Sequence, residues 1–154
     1  MARILGIDYG TVRMGFAISD ELGMIAMPLV VETVSSVDEA IAVSCRLARE
    51  RKVGKIVVGI PINMDGTHGP MAKEAAVFVE KLKAACGVPV MITDERLSTS
   101  LVERMLLGAD VSREKRKAVR DKLAAQVILQ GYLDTVAEGM PNAYDPDGHE
   151  NGEP

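Results

Sequence analysis

Short apolar runs and segments of helical periodicity alternate along most of this 154-residue chain. The runs are rich in β-branched residues and are separated by turn sequences such as YGTV and SDELG, which is typical of strands. They predict strands at residues 3–9, 13–19, 25–33, 55–60 and 88–93. Apolar residues at helical spacing predict helices at residues 36–52, 70–86, 98–107 and 113–138.

The order of these elements, β-β-β-α-β-α-β-α-α, predicts an α/β fold. Three hairpin-linked strands followed by alternating helices and strands favour a five-stranded mixed β-sheet with helices on both faces. We expect one domain over residues 1–138. Residues 139–154 are polar, acidic and rich in Gly and Pro, so we predict a disordered C-terminal tail there.

Composition is that of an ordinary globular chain, with 47% apolar and 26% charged residues. No apolar run approaches the length of a membrane span, and the start MARILGIDYG lacks the order of a signal peptide. We therefore expect a cytoplasmic protein. Cys45 and Cys86 are the two cysteines, both in helical apolar patterns, and we expect them to be buried free thiols.

The formal net charge of −4 is unevenly distributed. Residues 138–154 contain five acidic side chains and no Lys or Arg, so removing them leaves residues 1–137 at +1. Within that body, residues 112–122 carry six basic side chains against two acidic ones. This basic patch is compatible with a polyanionic partner. Three tyrosines and two phenylalanines offer little material for base stacking, which favours recognition of nucleic acid by backbone and shape.

Carboxylate side chains lie at three positions where burying a charge without a partner would cost free energy. Asp8 ends the first strand, and Asp94 and Glu95 end the last one. Asp121 precedes Ala125 by four residues on the apolar stripe of the last helix. Each has a structural alternative: a solvated strand end, stabilisation of a helix N-terminus, or a surface ion pair. Together they predict a cluster of oxygen ligands at one edge of the sheet.

Such a cluster is neutralised most readily by divalent cations. With only two histidines in the chain, an oxygen-liganded ion is favoured, which indicates Mg²⁺ or Mn²⁺. Two such ions can orient water for in-line attack on a phosphodiester and stabilise the leaving oxygen. The basic patch would hold the phosphate backbone beside them.

Four segments resemble the YqgF (RuvX) family: GIDYGTVRMGFAIS, VVGIPINMDGT, TDERLSTSLVE and DKLAAQVILQGYLD. The resemblance extends over residues 2 to about 137. It implies a ribonuclease H-like fold and a nuclease that matures the 5′ end of pre-16S ribosomal RNA or resolves branched DNA. It also implies that Asp8, Glu95 and Asp121 form the acidic, metal-binding triad.

The resemblance further implies that Gly10 and Thr11 shape the turn beside the triad, while a longer loop lines the substrate. With the basic side chains, the predicted substrate-binding residues are Gly10, Thr11, Asn63, Asp65, Gly66, Thr67, Arg96, Arg116, Lys117 and Arg120. We expect a metal-dependent endonuclease for structured nucleic acid, with precursor ribosomal RNA favoured over a Holliday junction. A homodimer would suit the symmetric junction.

Two alternatives from other classes remain at this point. Nucleotide-dependent phosphotransferases also begin with a strand and an Asp-x-Gly-Thr turn, but they require a second lobe, and no second such turn occurs here. A non-catalytic nucleic-acid binding module is the other, although three mutually repelling acids would then have no purpose.

Overall fold

The computed structural model describes residues 2–60, 69–94, 113–137 and 143–144, with side chains except at residues 70, 71, 94, 113–122, 143 and 144. Its helices are α1 (Val37–Glu50), α2 (Pro70–Cys86) and α3 (Arg113–Ala137). Its strands are β1 (Arg3–Asp8), β2 (Arg13–Ser19), β3 (Ala26–Thr33), β4 (Val53–Ile60), β5 (Val90–Asp94) and β6 (Ala143–Tyr144).

The strands form one mixed sheet in the order β3-β2-β1-β4-β5-β6. The hairpins β1–β2 and β2–β3 are antiparallel, whereas β4 pairs parallel to β1 and β5 parallel to β4. The predicted five-stranded mixed sheet is therefore confirmed, and β1 lies at its centre. The structure adds β6, a two-residue strand antiparallel to β5 that the sequence did not indicate and that falls inside the predicted tail. The rest of that tail lies outside the described residues.

The helices cover both faces of the sheet, as predicted. Helices α1 and α2 pack on one face against a core that includes Leu5, Ile7 and Val58. Helix α3 packs on the other face, where Ala125, Ile128 and Leu129 cover a second core. Because side chains alternate along a strand, each strand contributes one set of residues to each core.

Local sequence signals fix the helix ends. Ser36 caps α1, its hydroxyl accepting a hydrogen bond from the backbone N–H of Glu39 at 3.1 Å. Gly87 ends α2 in the left-handed conformation, with φ of 71°. The predicted bounds of α1 and α2 are confirmed to within two residues. The helix predicted at residues 98–107 lies outside the described residues.

Two glutamines of α3 hold the start of β3. Gln130 accepts a hydrogen bond from the backbone N–H of Ala26 at 2.8 Å, and Gln126 donates to the Ala26 carbonyl at 3.1 Å. Gln130 also donates to the Met24 carbonyl at 3.0 Å. These bonds tie the last helix to the β2–β3 hairpin across about 100 residues of sequence.

The prediction that Cys45 and Cys86 are free thiols is wrong for this structure. The two residues form a disulfide that joins α1 to the last residue of α2, with their Cα atoms 5.3 Å apart. That distance lies within the range a disulfide requires. The helical spacing correctly predicted that both cysteines face inward, but it did not show that α1 and α2 bring them together.

Within the described ranges, no helix is both long and apolar enough to cross a bilayer.

Candidate functional site

A row of four residues crosses the sheet at the carboxyl end of β1. Asp8 pairs with Gly15 of β2 on one side and with Gly59 of β4 on the other, and Gly59 pairs with Thr93 of β5. Paired residues point to the same face of a sheet, and alternation places this row on the face that α3 covers. Asp8 is half-buried and Thr93 is buried. The central carboxylate thus has a glycine on each neighbouring strand.

Two glycines on this face, Gly59 and Gly6, allow helix α3 to approach the sheet closely. A Cβ atom placed on Gly59 would lie 2.5 Å from Cδ1 of Ile128, and one on Gly6 would lie 2.8 Å from Cβ of Leu129. Both distances are shorter than carbon atoms in contact allow. Helix α3 can therefore pack this close to the sheet only because glycine has no side chain at these two positions. Helix α3 is therefore seated directly over the end of β1.

The direction of α3 follows from its contacts with β4. The hydroxyl of Tyr132 accepts a hydrogen bond of 3.1 Å from Nζ of Lys55, near the start of β4. Ile128, one turn earlier in the helix, lies at Gly59 near the end of β4. Earlier residues of α3 therefore lie progressively toward the carboxyl ends of the strands. Asp121 precedes Ile128 by two turns, about 10 Å of helix.

The other predicted acids are only partly described. Asp94 is the last residue of β5 and pairs with Ile60, two strands from β1, a lateral distance of about 10 Å from Asp8. Glu95 lies outside the described residues, and Asp121 lies in α3 without a described side chain. Within the described residues, no group of three or more His, Cys, Asp or Glu side chains forms a metal site. The assignment of the triad therefore stays a prediction.

The predicted substrate-binding residues divide in the same way. Gly10 and Thr11 are described and lie in the β1–β2 turn. Residues Asn63, Asp65, Gly66, Thr67 and Arg96 lie outside the described residues. Arg116, Lys117 and Arg120 lie in the first half of α3, on the same segment as Asp121. The predicted basic patch is thus part of the helix that runs toward the end of β1.

The turn after β1 requires glycine at position 10. A Cβ atom on Gly10 would collide with the backbone carbonyl oxygen of Arg13, which no side-chain movement can relieve. The turn is fixed further by a hydrogen bond of 2.8 Å from the backbone N–H of Val34 to the carbonyl of Val12. This tight turn places Tyr9 and Thr11 at the mouth of a cleft.

That cleft has a volume of about 350 Å³ and lies between the β1–β2 turn, the start of α1 and the first turns of α2. Tyr9 lines it with only 6% of its surface exposed, and its ring stacks on Phe78 at 4.7 Å between centroids. Burial raises the pKa of Tyr9 above its ordinary value of 10.0, and the nearby carboxylate of Glu74 adds to the rise. Tyr9 shares the core of Leu5 and Ile7, so the cleft opens on the sheet face opposite Asp8.

Sequence reasoning did not identify the cleft that Tyr9 and Glu74 line. Tyr9 follows Ile7 by two residues and shares its face of the sheet, where both belong to the α1–α2 core. Its neighbour Glu74 is 65 positions away in sequence, and only the folded chain brings the two together.

The family model described as "RuvX: Holliday junction resolvase" matches residues 2–135. The chain belongs to the RuvX family. Two curated relatives, both named "Putative pre-16S rRNA nuclease", come from Symbiobacterium thermophilum and Halothermothrix orenii. They are 48% and 49% identical to this RuvX-family chain, covering 92% and 85% of it and 99% and 94% of their own lengths.

Among solved structures, RuvC of T. thermophilus in complex with a Holliday junction substrate is similar, with a TM-score of 0.61. The sequence identity is 17%, and the match covers 94% of this chain and 100% of the RuvC chain. At that identity the likeness shows a shared fold. The expected ribonuclease H-like, resolvase type of fold is therefore confirmed.

Proposed function

We propose that this RuvX-family chain is an endonuclease that hydrolyses phosphodiester bonds of structured nucleic acid, with the 5′ region of pre-16S ribosomal RNA as its substrate. The observation that carries the proposal is the place of Asp8 at the end of the central strand, between Gly15 and Gly59 and under a closely seated α3. The names of relatives about 48% identical over nearly their whole length support the choice of ribosomal RNA.

In this proposal Asp8, Glu95 and Asp121 hold one or two Mg²⁺ or Mn²⁺ ions. The family resemblance names Glu95 for this role, and Thr93, two residues before it in the sequence, shares a sheet face with Asp8. The direction of α3 supports Asp121, since the helix runs toward the same end of the sheet. The donors are all carboxylate oxygens, which suit these ions. When bound, the metal supplies an activated water and stabilises the departing oxygen.

The protein's own contribution is to bind and position the phosphodiester. Arg116, Lys117 and Arg120 lie on the segment of α3 that leads to Asp121, so we assign them to phosphate contacts beside the bond to be cut. The turn at Gly10 and Thr11 lets the nucleic acid approach the end of β1. The family match over residues 2–135 favours this activity over the nucleotide-dependent phosphotransferase.

The test is cleavage by purified protein of a pre-16S RNA fragment and of a four-way DNA junction, each with Mg²⁺ and with a chelator. We expect Mg²⁺-dependent cleavage of the RNA. The variant Asp8→Asn should lose cleavage while retaining nucleic-acid binding. Its matched control is Asp134→Asn, the same change at an exposed position in the last turns of α3.

Cleavage by Asp8→Asn at the wild-type rate would refute the proposed site. The family description favours a second candidate, the Holliday junction resolvase. Faster cutting of the DNA junction than of the RNA, by a two-fold dimer, would establish that alternative.

A further inference from the structure

Four exposed basic side chains lie within seven residues where α1 ends and β4 begins. They belong to Arg46, Arg49, Arg51 and Lys52, which we call the α1-end surface. Glu50 is the acidic residue among them, so residues 46–52 carry a net charge of +3. Of the ion pairs among the described residues, one reaches this surface, where Arg46 lies 3.8 Å from Glu32. The charges on the other three side chains therefore face solvent.

The stability of helix α1 accounts for only part of this charge. The carboxyl end of a helix carries roughly half a negative charge, which one nearby cation offsets. Arg49 lies in the last turn of α1 and meets that need. Helix α2, which ends at the same side of the sheet, has a single basic residue in its last turn. The additional cations at the end of α1 indicate a negatively charged partner outside the fold.

The backbone of Lys52 supports the same conclusion independently. Lys52 follows the C-cap of α1 with a φ of 54°, and no other non-glycine residue in the described ranges has a positive φ. Helix α2 ends in the same conformation but with a glycine, Gly87, at φ of 71°. A residue with a side chain is strained in this conformation, whereas glycine is not. The chain therefore has a lysine where glycine would suit the fold better, and the charge of that lysine is exposed.

The α1-end surface lies at the opposite end of the sheet from Asp8. Val53, which follows Lys52, pairs with Arg3 at the start of β1, and Asp8 ends that strand. Five steps of about 3.3 Å along β1 separate the two ends by roughly 17 Å. This surface is therefore separate from the basic segment of α3, which leads toward the end of the sheet at Asp8. A nucleic acid that reaches both ends must span about five stacked nucleotides, at about 3.4 Å each.

Resting on the nuclease function proposed above, we propose that the α1-end surface binds the phosphate backbone of the RNA substrate at a second place, at least about five nucleotides from the bond to be cut. Exposed arginine and lysine side chains donate hydrogen bonds to phosphate oxygens whatever the base sequence, and arginine can donate two in parallel. The surface anchors the substrate and takes no part in bond cleavage.

The salt dependence of RNA binding tests this, because it reports how many phosphates the protein contacts. Fluorescence anisotropy is recorded with the full chain, a labelled fragment of pre-16S RNA and a chelator in place of metal, from about 50 to 200 mM salt. Each lost phosphate contact should reduce the slope of log affinity against log salt by about 0.7–0.9. The double variant Arg51→Gln/Lys52→Gln should therefore reduce the slope by about 1.5 and weaken binding about tenfold.

Three further variants separate charge from structure. The double variant Arg51→Lys/Lys52→Arg keeps both charges in place and should bind as wild type does. Glu50→Gln removes the acidic side chain of the segment and should strengthen binding. Lys52→Gly relieves the positive-φ strain, so it should raise the urea midpoint of unfolding while it reduces the salt slope by about 0.7–0.9. Weaker binding by a more stable variant cannot result from misfolding.

An unchanged salt slope in Arg51→Gln/Lys52→Gln overturns the inference. So does an equal loss of affinity in the charge-conserving variant, because charge would then not be the cause.

Cleavage distinguishes this inference from the proposed function. In the double glutamine variant we expect an unchanged kcat and a KM about tenfold higher, as for a contact made equally before and during the reaction. Cleavage that stops in Asp8→Asn but has a wild-type KM and salt slope in the double variant would support the nuclease and refute the anchor. Salt-dependent RNA binding through these residues by a protein that does not cut would establish the anchor and refute the proposed function.

Discussion

Replacement of Gly6 by alanine tests whether the close seating of α3 on β1 is required. The new Cβ would stand 2.8 Å from Cβ of Leu129 and 3.3 Å from the carbonyl oxygen of Ala125. Carbon atoms in contact prefer at least about 3.5 Å, so the helix must retreat by roughly 0.7 Å. Overpacking of this kind costs about 1–3 kcal/mol of unfolding free energy.

The matched control is Gly131→Ala, the same substitution within α3. Apart from the backbone of its own helix and its chain neighbours, no heavy atom of the described residues lies within 4 Å of a Cβ at that position. Alanine in a helix is favoured over glycine by about 0.5–1 kcal/mol, so this variant should gain stability. Urea unfolding followed by circular dichroism measures both changes. An unchanged dependence of the unfolding free energy on urea concentration would show that each variant exposes the same surface on unfolding as the wild type.

Activity gives the second measurement for the same pair. A displacement near 1 Å of a catalytic group can reduce turnover about 100-fold. If α3 carries Asp121 to Asp8, Gly6→Ala should lose cleavage at a temperature where it is still folded, and Gly131→Ala should cut normally. Wild-type stability in Gly6→Ala would refute the packing argument. Normal cleavage by a destabilised Gly6→Ala would instead show that the position of α3 does not control the site.

Two further predictions concern the disulfide and the β2–β3 turn. The bond between Cys45 and Cys86 spans 41 residues, so in the chain-entropy model its reduction should lower the unfolding free energy by about 4 kcal/mol. Urea titration with and without reductant, with the double alanine variant as control, tests this, and an unchanged midpoint would contradict it. In the turn, hydrogen bonds from the backbone N–H groups of Ile25 and Met24 lower the pKa of Asp20 below its ordinary 3.8, so its ionised form stabilises the fold above that pH. The stability difference between wild type and Asp20→Asn should therefore shrink as the pH falls below 3.8 through the folded pKa, and a difference that grows in acid would refute this.

The sequence predicted those features that leave a local signature. Helix α2 has a proline at its start and a glycine at its end, and its bounds were predicted to the residue. Asp8 was identified because a charge closes an apolar run on a central strand. The disulfide was missed because spacing within one helix carries no information about the next helix.

The cleft was missed for the same reason. It is formed by three segments that meet only after α1 and α2 have docked on the sheet. Strand β6 left no signature either, since two residues are too few to show a period.

The hydrogen bonds of Gln126 and Gln130 to the β2–β3 hairpin have a consequence for synthesis on the ribosome. At 5–20 residues per second, roughly 5–20 s separate the appearance of Ala26 from that of its partner Gln130, 104 residues later. Residues of one sheet face, such as Ala17, Val57 and Met91, are synthesised before or during that interval and have no helix to cover them until α3 follows. A nascent chain in that state is open to aggregation and to chaperones. Until residue 121 is added the chain also lacks Asp121, so under the proposed triad an incomplete copy would be unable to cut the RNA around it.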